Sequence, residues 1–406
     1  MIKKLRMIAL FLALAMLIFS LIACSHSEDD KPETITDAIN KQESLDIDES
    51  AASPDQISPE DATEEVSKMD GIQGKIHRVD NAGGRRVFLS ADRLYLYDLD
   101  TNSIMAEAAH ENLDQVRIHA LDNGYVIVGM ETQQNNAEGL FAVQGPPSYA
   151  AVHYDHQLNK ISTLSYSTLL DENEMIWSTK AIAFSSDGKK TAFATNQGLY
   201  LYNLDTGKKS SIMSFDANHT SGIVTMEQIS FTHYGQTIAF IAQSYDTPAV
   251  DGSVSFDTCG TVDVDGSRLS NHRFENYTCK ELIAYPDQLL LAEDPSVATG
   301  RLLVLDIPEG TTKVYELVDQ QESGAVTGSD SGAHFATSIA TNNGWTIRIY
   351  DTATGKLQSE SFIPVDDERY LANVPLIAIQ DEGQTYIALI GAKQREIVTK
   401  VYYGQF

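Results

Sequence analysis

From residue 70 on, the chain alternates between apolar and polar positions with a period of two, broken every five to eight residues by short Gly-, Asp- or Asn-bearing turns. Stretches such as RLYLYDLDTNS from Arg93, GLYLYNLDTGKKSSI from Gly198, RLLVLDIPEGTTKVYEL from Arg301 and TIRIYDTATGKLQSE from Thr346 repeat one layout. A strand of Leu, Tyr and β-branched residues meets an Asp or Asn (Asp98, Asn203, Asp306, Asp351), turns, and returns as a second strand. Weaker copies surround Asp155 and Asp263. A second strand pair precedes each copy. The clearest runs from Lys180 to Asn196, where IAFS and TAFAT flank Ser186-Asp187-Gly188 and glycine supplies the turn's positive φ. Each unit therefore reads as four antiparallel strands, recurring about every 50 residues, close to the length of a propeller blade. No stretch holds an apolar i, i+3, i+4, i+7 pattern over three turns.

The predicted fold is all-β: a β-propeller over residues 70–406 with about seven four-stranded blades, six or eight being the alternatives. Units begin near residues 75, 113, 177, 225, 279, 324 and 370. The last lacks a strand, and the segment Gly71–Asp80 is the candidate to supply it and close the ring, removing the exposed sheet edges.

The first 69 residues follow other rules. Met1 to Arg6 is short and basic, and Met7–Ala23 is an uncharged apolar run, the layout of a secretory signal. An uncleaved membrane anchor is the alternative, since such a run is near the lower limit for a span. The run ends Leu21-Ile22-Ala23-Cys24. This resembles the bacterial lipobox, with Ile22 bulkier than the usual residue. The resemblance implies cleavage of residues 1–23 and a diacylglycerol on the Cys24 thiol. Residues 24–69 then form an acidic tether, rich in Asp, Glu, Ser and Pro, without an aromatic residue and unable to bury enough apolar surface to order itself. It reads as a spacer, or alternatively as a partner-binding acidic segment.

The formal net charge of −28 in a 406-residue chain, with no basic cluster, argues against nucleic acid as a partner. It also argues against direct attraction to anionic lipid, so membrane contact falls to the lipid on Cys24. The expected location is extracytoplasmic: on the outer membrane facing the periplasm if the host is Gram-negative, since Ser25 is not Asp, or on the outer face of the cytoplasmic membrane if Gram-positive. Within the repeats, FSSDGKKTAFATNQGLYLYNLDTGK resembles the WD-type repeat of the TolB propeller family, and DTATGKL is similar to turns of YVTN and quinoprotein-like propellers. The likeness implies the fold and is silent on function. The domain that precedes the propeller in TolB has no counterpart here, so a Tol–Pal role is not implied.

Candidate chemistry is sparse. There is no G-x-S-x-G, H-E-x-x-H, P-loop or GxGxxG. His153 and Asp155 share one strand face, but Asp155 occupies the repeat's turn position. Asp263-Val264-Asp265-Gly266 matches a hairpin turn better than a calcium loop, whose other acids are missing. No catalytic residue, metal or cofactor is assigned. Cys259 and Cys279 are the only thiols beyond Cys24, and in an exported protein they are expected to pair as a disulfide, buried free thiols being the alternative. Two long insertions, Thr132–Tyr149 and Gln243–Gly260, interrupt the second and fourth units. Phe141, Pro146, Pro147, Tyr149, Tyr245 and Phe256 on them are candidate partner-binding residues, or else pack over neighbouring blades. The expected function is a non-enzymatic scaffold that binds an envelope protein. The alternative is an enzyme or a small-molecule or glycan sensor that uses the channel, with His119, Asp187, His233 and Asp330 as candidate channel-facing groups.

Overall fold

A computed structural model of the chain describes residues 63–66, 69, 71–74, 76–132, 147–215, 222–245, 256–274, 276–341, 343–364, 375–381, 384–391 and 399–406. Cys24, the signal segment and most of the acidic segment lie outside them. The described residues form seven four-stranded antiparallel sheets, arranged as the blades of a propeller. In blades one to six the four strands follow chain order from the innermost outwards, and are called a to d here. Blade one spans Arg78–Ala108, blade two Leu113–Ser165, blade three Ile182–Ser214, blade four Gly222–His272, blade five Cys279–Glu316 and blade six Val326–Pro364.

Blade seven is built from both ends of the sequence. Leu376–Gln380, Thr385–Gly391 and Thr399–Gln405 supply strands a to c, and Thr63–Val66 supplies d, pairing Thr63 with Gly404 and Val66 with Val401. The closing strand is thus not the segment Gly71–Asp80. Arg78–Asn81 is instead strand a of blade one, and the propeller begins at Thr63, inside the span expected to be tether. The sequence TEEV carries no apolar alternation, but an outermost strand needs only main-chain pairing to hold its place.

The repeated Asp or Asn has a structural explanation. It ends strand c, and its carboxylate accepts main-chain N–H groups of the turn into strand d. Asp98 Oδ1 accepts from Asp100 N (2.9 Å) and Thr101 N (2.8 Å), Asp351 from Thr354 N (2.8 Å), and Asp306 from Glu309 N (3.0 Å). Asn203 bonds Thr206 N in the same way at 2.8 Å. These are side-chain mimics of a backbone turn. The bonds from Thr101 hold the Asp98 carboxyl below the usual carboxylate range. Asp155 binds Gln157 N and Asn159 N likewise, so it is a turn residue and not half of a metal pair with His153, whose ring packs edge-on to Phe184. Asp263 and Gly266 close a hairpin, with Gly266 at φ +82°.

The apolar faces meet between blades. Phe193, Phe240 and Ile182 lie in the packing of blades two to four, and Leu289, Leu303 and Ile241 join blades four and five. Trp345, Ile349 and Tyr386 join blades six and seven. Four-stranded topology sends all a–b and c–d turns to one end of the ring, and all b–c loops and d–a connectors to the other. The strand ends that flank the two long insertions, Glu131 and Tyr149 in blade two and Tyr245 and Phe256 in blade four, lie between strands b and c and so at the second, loop-rich end.

Candidate functional site

The inner strands enclose a cavity of about 1530 Å³ on the propeller axis. Its walls come from strand a of blades one, two, four, five, six and seven, with Ser178–Lys180 leading into blade three. Its mouth is formed by d–a connector residues, among them His110, Ser178, Gly324 and Pro375, and so opens at the loop-rich end.

The wall is strongly polar in one sector. Arg78 holds Asp80 through two bonds, Nε to Oδ2 at 2.5 Å and Nη2 to Oδ1 at 2.8 Å. Burial opposes the Arg78 charge, but Asp80 keeps its pKa above the ordinary value. Lys180 is ion-paired with Glu281 across the cavity. Gln228, itself buried, ties the same site together: its Nε2 donates to Glu281 Oε1 (3.2 Å) and to Leu282 O (2.7 Å), and its Oε1 accepts from Leu282 N (3.2 Å). Arg117 completes the sector, and among the described residues no acid is ion-paired with it. Burial and the nearby Arg78 pull its pKa below the ordinary value, opposed by Glu281 and Asp80.

The four residues expected to face the channel do not line it. Asp187, His233 and Asp330 occupy a–b turns at the opposite end of the ring, where Asp187 accepts from Ser185 Oγ at 2.6 Å. His119 is on an inner strand but faces blade three, with its ring 5.7 Å from that of Phe184. Burial, reinforced by Arg117 and Arg78, pulls its pKa to about 3, so the ring is neutral. Among the described residues no three His, Cys, Asp or Glu side chains gather as a metal site would require.

At the mouth, two buried glutamates bolt down the connector between blades five and six, a short 3₁₀ helix over Gln320–Gly324. Glu322 is fully buried. It accepts from Asp319 N (2.9 Å), Thr337 Oγ1 (2.8 Å) and Tyr350 Oη (2.6 Å), and is ion-paired with Arg348. Glu293 accepts from Ser323 Oγ (2.6 Å) and from Thr299 N and Oγ1 (2.6 and 2.8 Å). The connector between blades two and three is anchored similarly, by Glu174 on Lys209 Nζ at 2.8 Å. None of these acids stands out in the sequence, because nothing marks them as buried.

The predicted partner-binding residues divide. Tyr149 is buried in the core of blades two and three at 3% exposure and presents no surface. Its place at the start of strand c turns the ring inward. Pro147 and Tyr245 are half-buried. Phe256, also half-buried, lies under the Arg273 guanidinium at 4.0 Å, in a surface recess of about 440 Å³ with Asp257 and Tyr277. Phe141 and Pro146 lie outside the described residues. Trp177, which the sequence reading passed over, is 60% exposed on the d–a connector before blade three, at the loop-rich end.

Cys259 and Cys279 are brought together across blades four and five, but the expected bond is not formed: both are free and buried. Burial and the adjacent Cys259 thiol push the Cys279 thiol well up from its ordinary value.

Compared with known protein families and with curated proteins, the sequence matches none. The likenesses to the lipobox and to TolB-type repeats therefore rest on the residues quoted above.

Proposed function

We propose that the chain is an extracytoplasmic lipoprotein, anchored through lipid on Cys24, whose propeller acts as a non-enzymatic scaffold binding another envelope protein at its loop-rich end. One observation carries this reading. The closing strand Thr63–Val66 runs antiparallel to Thr399–Gln405, so the chain from the N-terminal segment enters the ring at the short-turn end. The cavity mouth and the exposed Trp177 belong to the other, loop-rich end. Tryptophan is one of the residues in which interface hot spots are enriched.

The test is crosslinking in cells followed by recovery of the full-length chain, beside Cys24→Ala and Trp177→Ser forms. The expected result is one envelope protein that is recovered with the parent and lost or much reduced with both variants. Fractionation should show Cys24→Ala released from the membrane. No common partner, or a Cys24→Ala chain that stays in the membrane, would overturn the respective half of the proposal.

A further inference from the structure

Strand a of blade two, Leu113–Leu121, is deformed where it passes the cavity. Asp114 pairs with Met130 and Arg117 with Val128, so Gln115 and Val116 together face Gly129. This is a β-bulge, with Gln115 at φ +52°. A Cβ on Gly129 would sit 2.6 Å from Leu113 Cβ and 3.1 Å from Asp114 O, so the bulge requires glycine opposite it. Its effect is to shift the strand's parity. Leu113, and then Val116 and Ile118, pack against blade one, while Arg117 and His119 fall on the other face. Without the extra residue Arg117 would point into the apolar packing of blades one and two.

The bulge therefore delivers a guanidinium to the cavity wall, and that guanidinium is unmatched. Arg78 has Asp80, and Lys180 has Glu281. The acids nearer the mouth are engaged elsewhere: Glu111 with Lys160 at 2.7 Å, Asp114 with Thr132 Oγ1 at 3.4 Å, and Glu293 with Thr299 and Ser323. Among the described residues none forms an ion pair with Arg117, and none accepts from its Nη1, which is shut off from bulk solvent. Arginine does not shed its proton to escape this. The Arg117 side chain is half-buried, and a charge drawn partly out of water without a partner is destabilising. In a chain of net charge −28 an unpaired cation is easily neutralised by a neighbouring Asp or Glu, and this one is not.

We propose that the central cavity binds a small molecule through an oxyanion, carboxylate or phosphate, and that Arg117 grips it with the Nε–Nη2 side of its planar fork, Nη1 being closed off from solvent. The fork's paired N–H groups match two oxygens of either anion. Arg78 and Lys180, each already holding an acid, flank that position and add field without competing for the same lone pairs. The inference stands apart from the scaffold reading, since it needs neither the anchor nor the outer loops.

The test is calorimetric titration of the purified full-length chain with inorganic phosphate and, separately, with succinate, repeated on Arg117→Met and Arg117→Lys. Saturable binding of at least one probe is expected. It should weaken about tenfold or more in Arg117→Met, the loss expected for a charge-assisted bidentate contact. Arg117→Lys, which keeps charge but not the fork, should weaken it several-fold. Which probe binds separates a carboxylate ligand from a phosphate one. In the absence of probe, Arg117→Met should melt no lower than the parent, because it removes an uncompensated charge, whereas a merely structural arginine would lower the melting temperature. No binding of either probe at millimolar concentration, or equal binding by all three proteins, would overturn the proposal, and the crosslinking result would be untouched.

Discussion

Replacing Glu322 by Gln tests whether the mouth of the channel is held by its buried acids. The carboxylate has four donors on two oxygens: Asp319 N and Arg348 at Oε1, Thr337 and Tyr350 hydroxyls at Oε2. An amide keeps one oxygen and turns the other position into a donor, so the Thr337 and Tyr350 hydroxyls can accept from it only with their own O–H protons left without an acceptor. Each buried donor left unmet is destabilising by about 1–3 kcal/mol. Breaking a buried ion pair from one side is destabilising by about 3–5 kcal/mol. The two estimates overlap, and about 3–5 kcal/mol is the expected loss. With an unfolding entropy of about 2.1 cal/mol/K per residue over roughly 340 residues, that loss lowers the melting temperature by roughly 4–7 °C. Arg348 retains Glu360 as a partner, so the loss should stay near the lower figure. Calorimetry on parent, Glu322→Gln, Tyr350→Phe and the double variant measures it. The double variant should be less destabilised than the sum of the singles, because both remove the same bond. A Glu322→Gln melting temperature within about 1 °C of the parent would refute the reasoning.

Three further outcomes are expected. His119 is neutral in the fold, with a pKa near 3 against an ordinary 6.5; its contribution to stability is complete above pH 6.5 and is lost as pH falls towards 3, at up to roughly 1.4 kcal/mol per pH unit. Denaturant melts across that range should therefore show a shallower pH slope for His119→Phe than for the parent, and identical slopes would refute it. Deleting residues 1–67 removes the strand that closes blade seven and leaves Thr399–Gln405 as an edge. The shortened protein should melt at a lower temperature and associate on standing, as light scattering would show. Finally, Cys259 and Cys279 stand free and buried in the fold, so both should react with an alkylating reagent after unfolding without reductant; a two-proton mass loss absent from Cys279→Ser would refute it.

How much of this was legible depended on whether a residue's role was local. The turn residues Asp98, Asn203, Asp306 and Asp351 act within a few residues of themselves, and their spacing marks the blades. Strand periodicity likewise placed the hairpin around Gly188 correctly. Thr63–Val66 was missed because it is held by main-chain bonds to a strand at the far end of the sequence, which leaves no trace in its side chains. Arg117 was missed for a related reason. Which wall of a strand a residue faces is read by counting in twos, and one inserted residue at Gln115–Val116 reverses the count. The expected channel residues Asp187 and Asp330 follow inner strands in sequence but sit past their ends, in turns. Glu322 and Glu293 look like ordinary surface acids until the donors from other blades are assembled around them.

The way blade seven is closed also decides how the ring carries load. Thr63–Val66 is a four-residue strand paired antiparallel with Thr399–Gln405, and Thr63 is its end on the side of the preceding chain. A pull from that side loads its pairings in shear, all together, rather than peeling them apart singly. Any force transmitted through the N-terminal segment reaches this seam before it reaches any other blade, so the strand that completes the ring is also the point at which tension would open it.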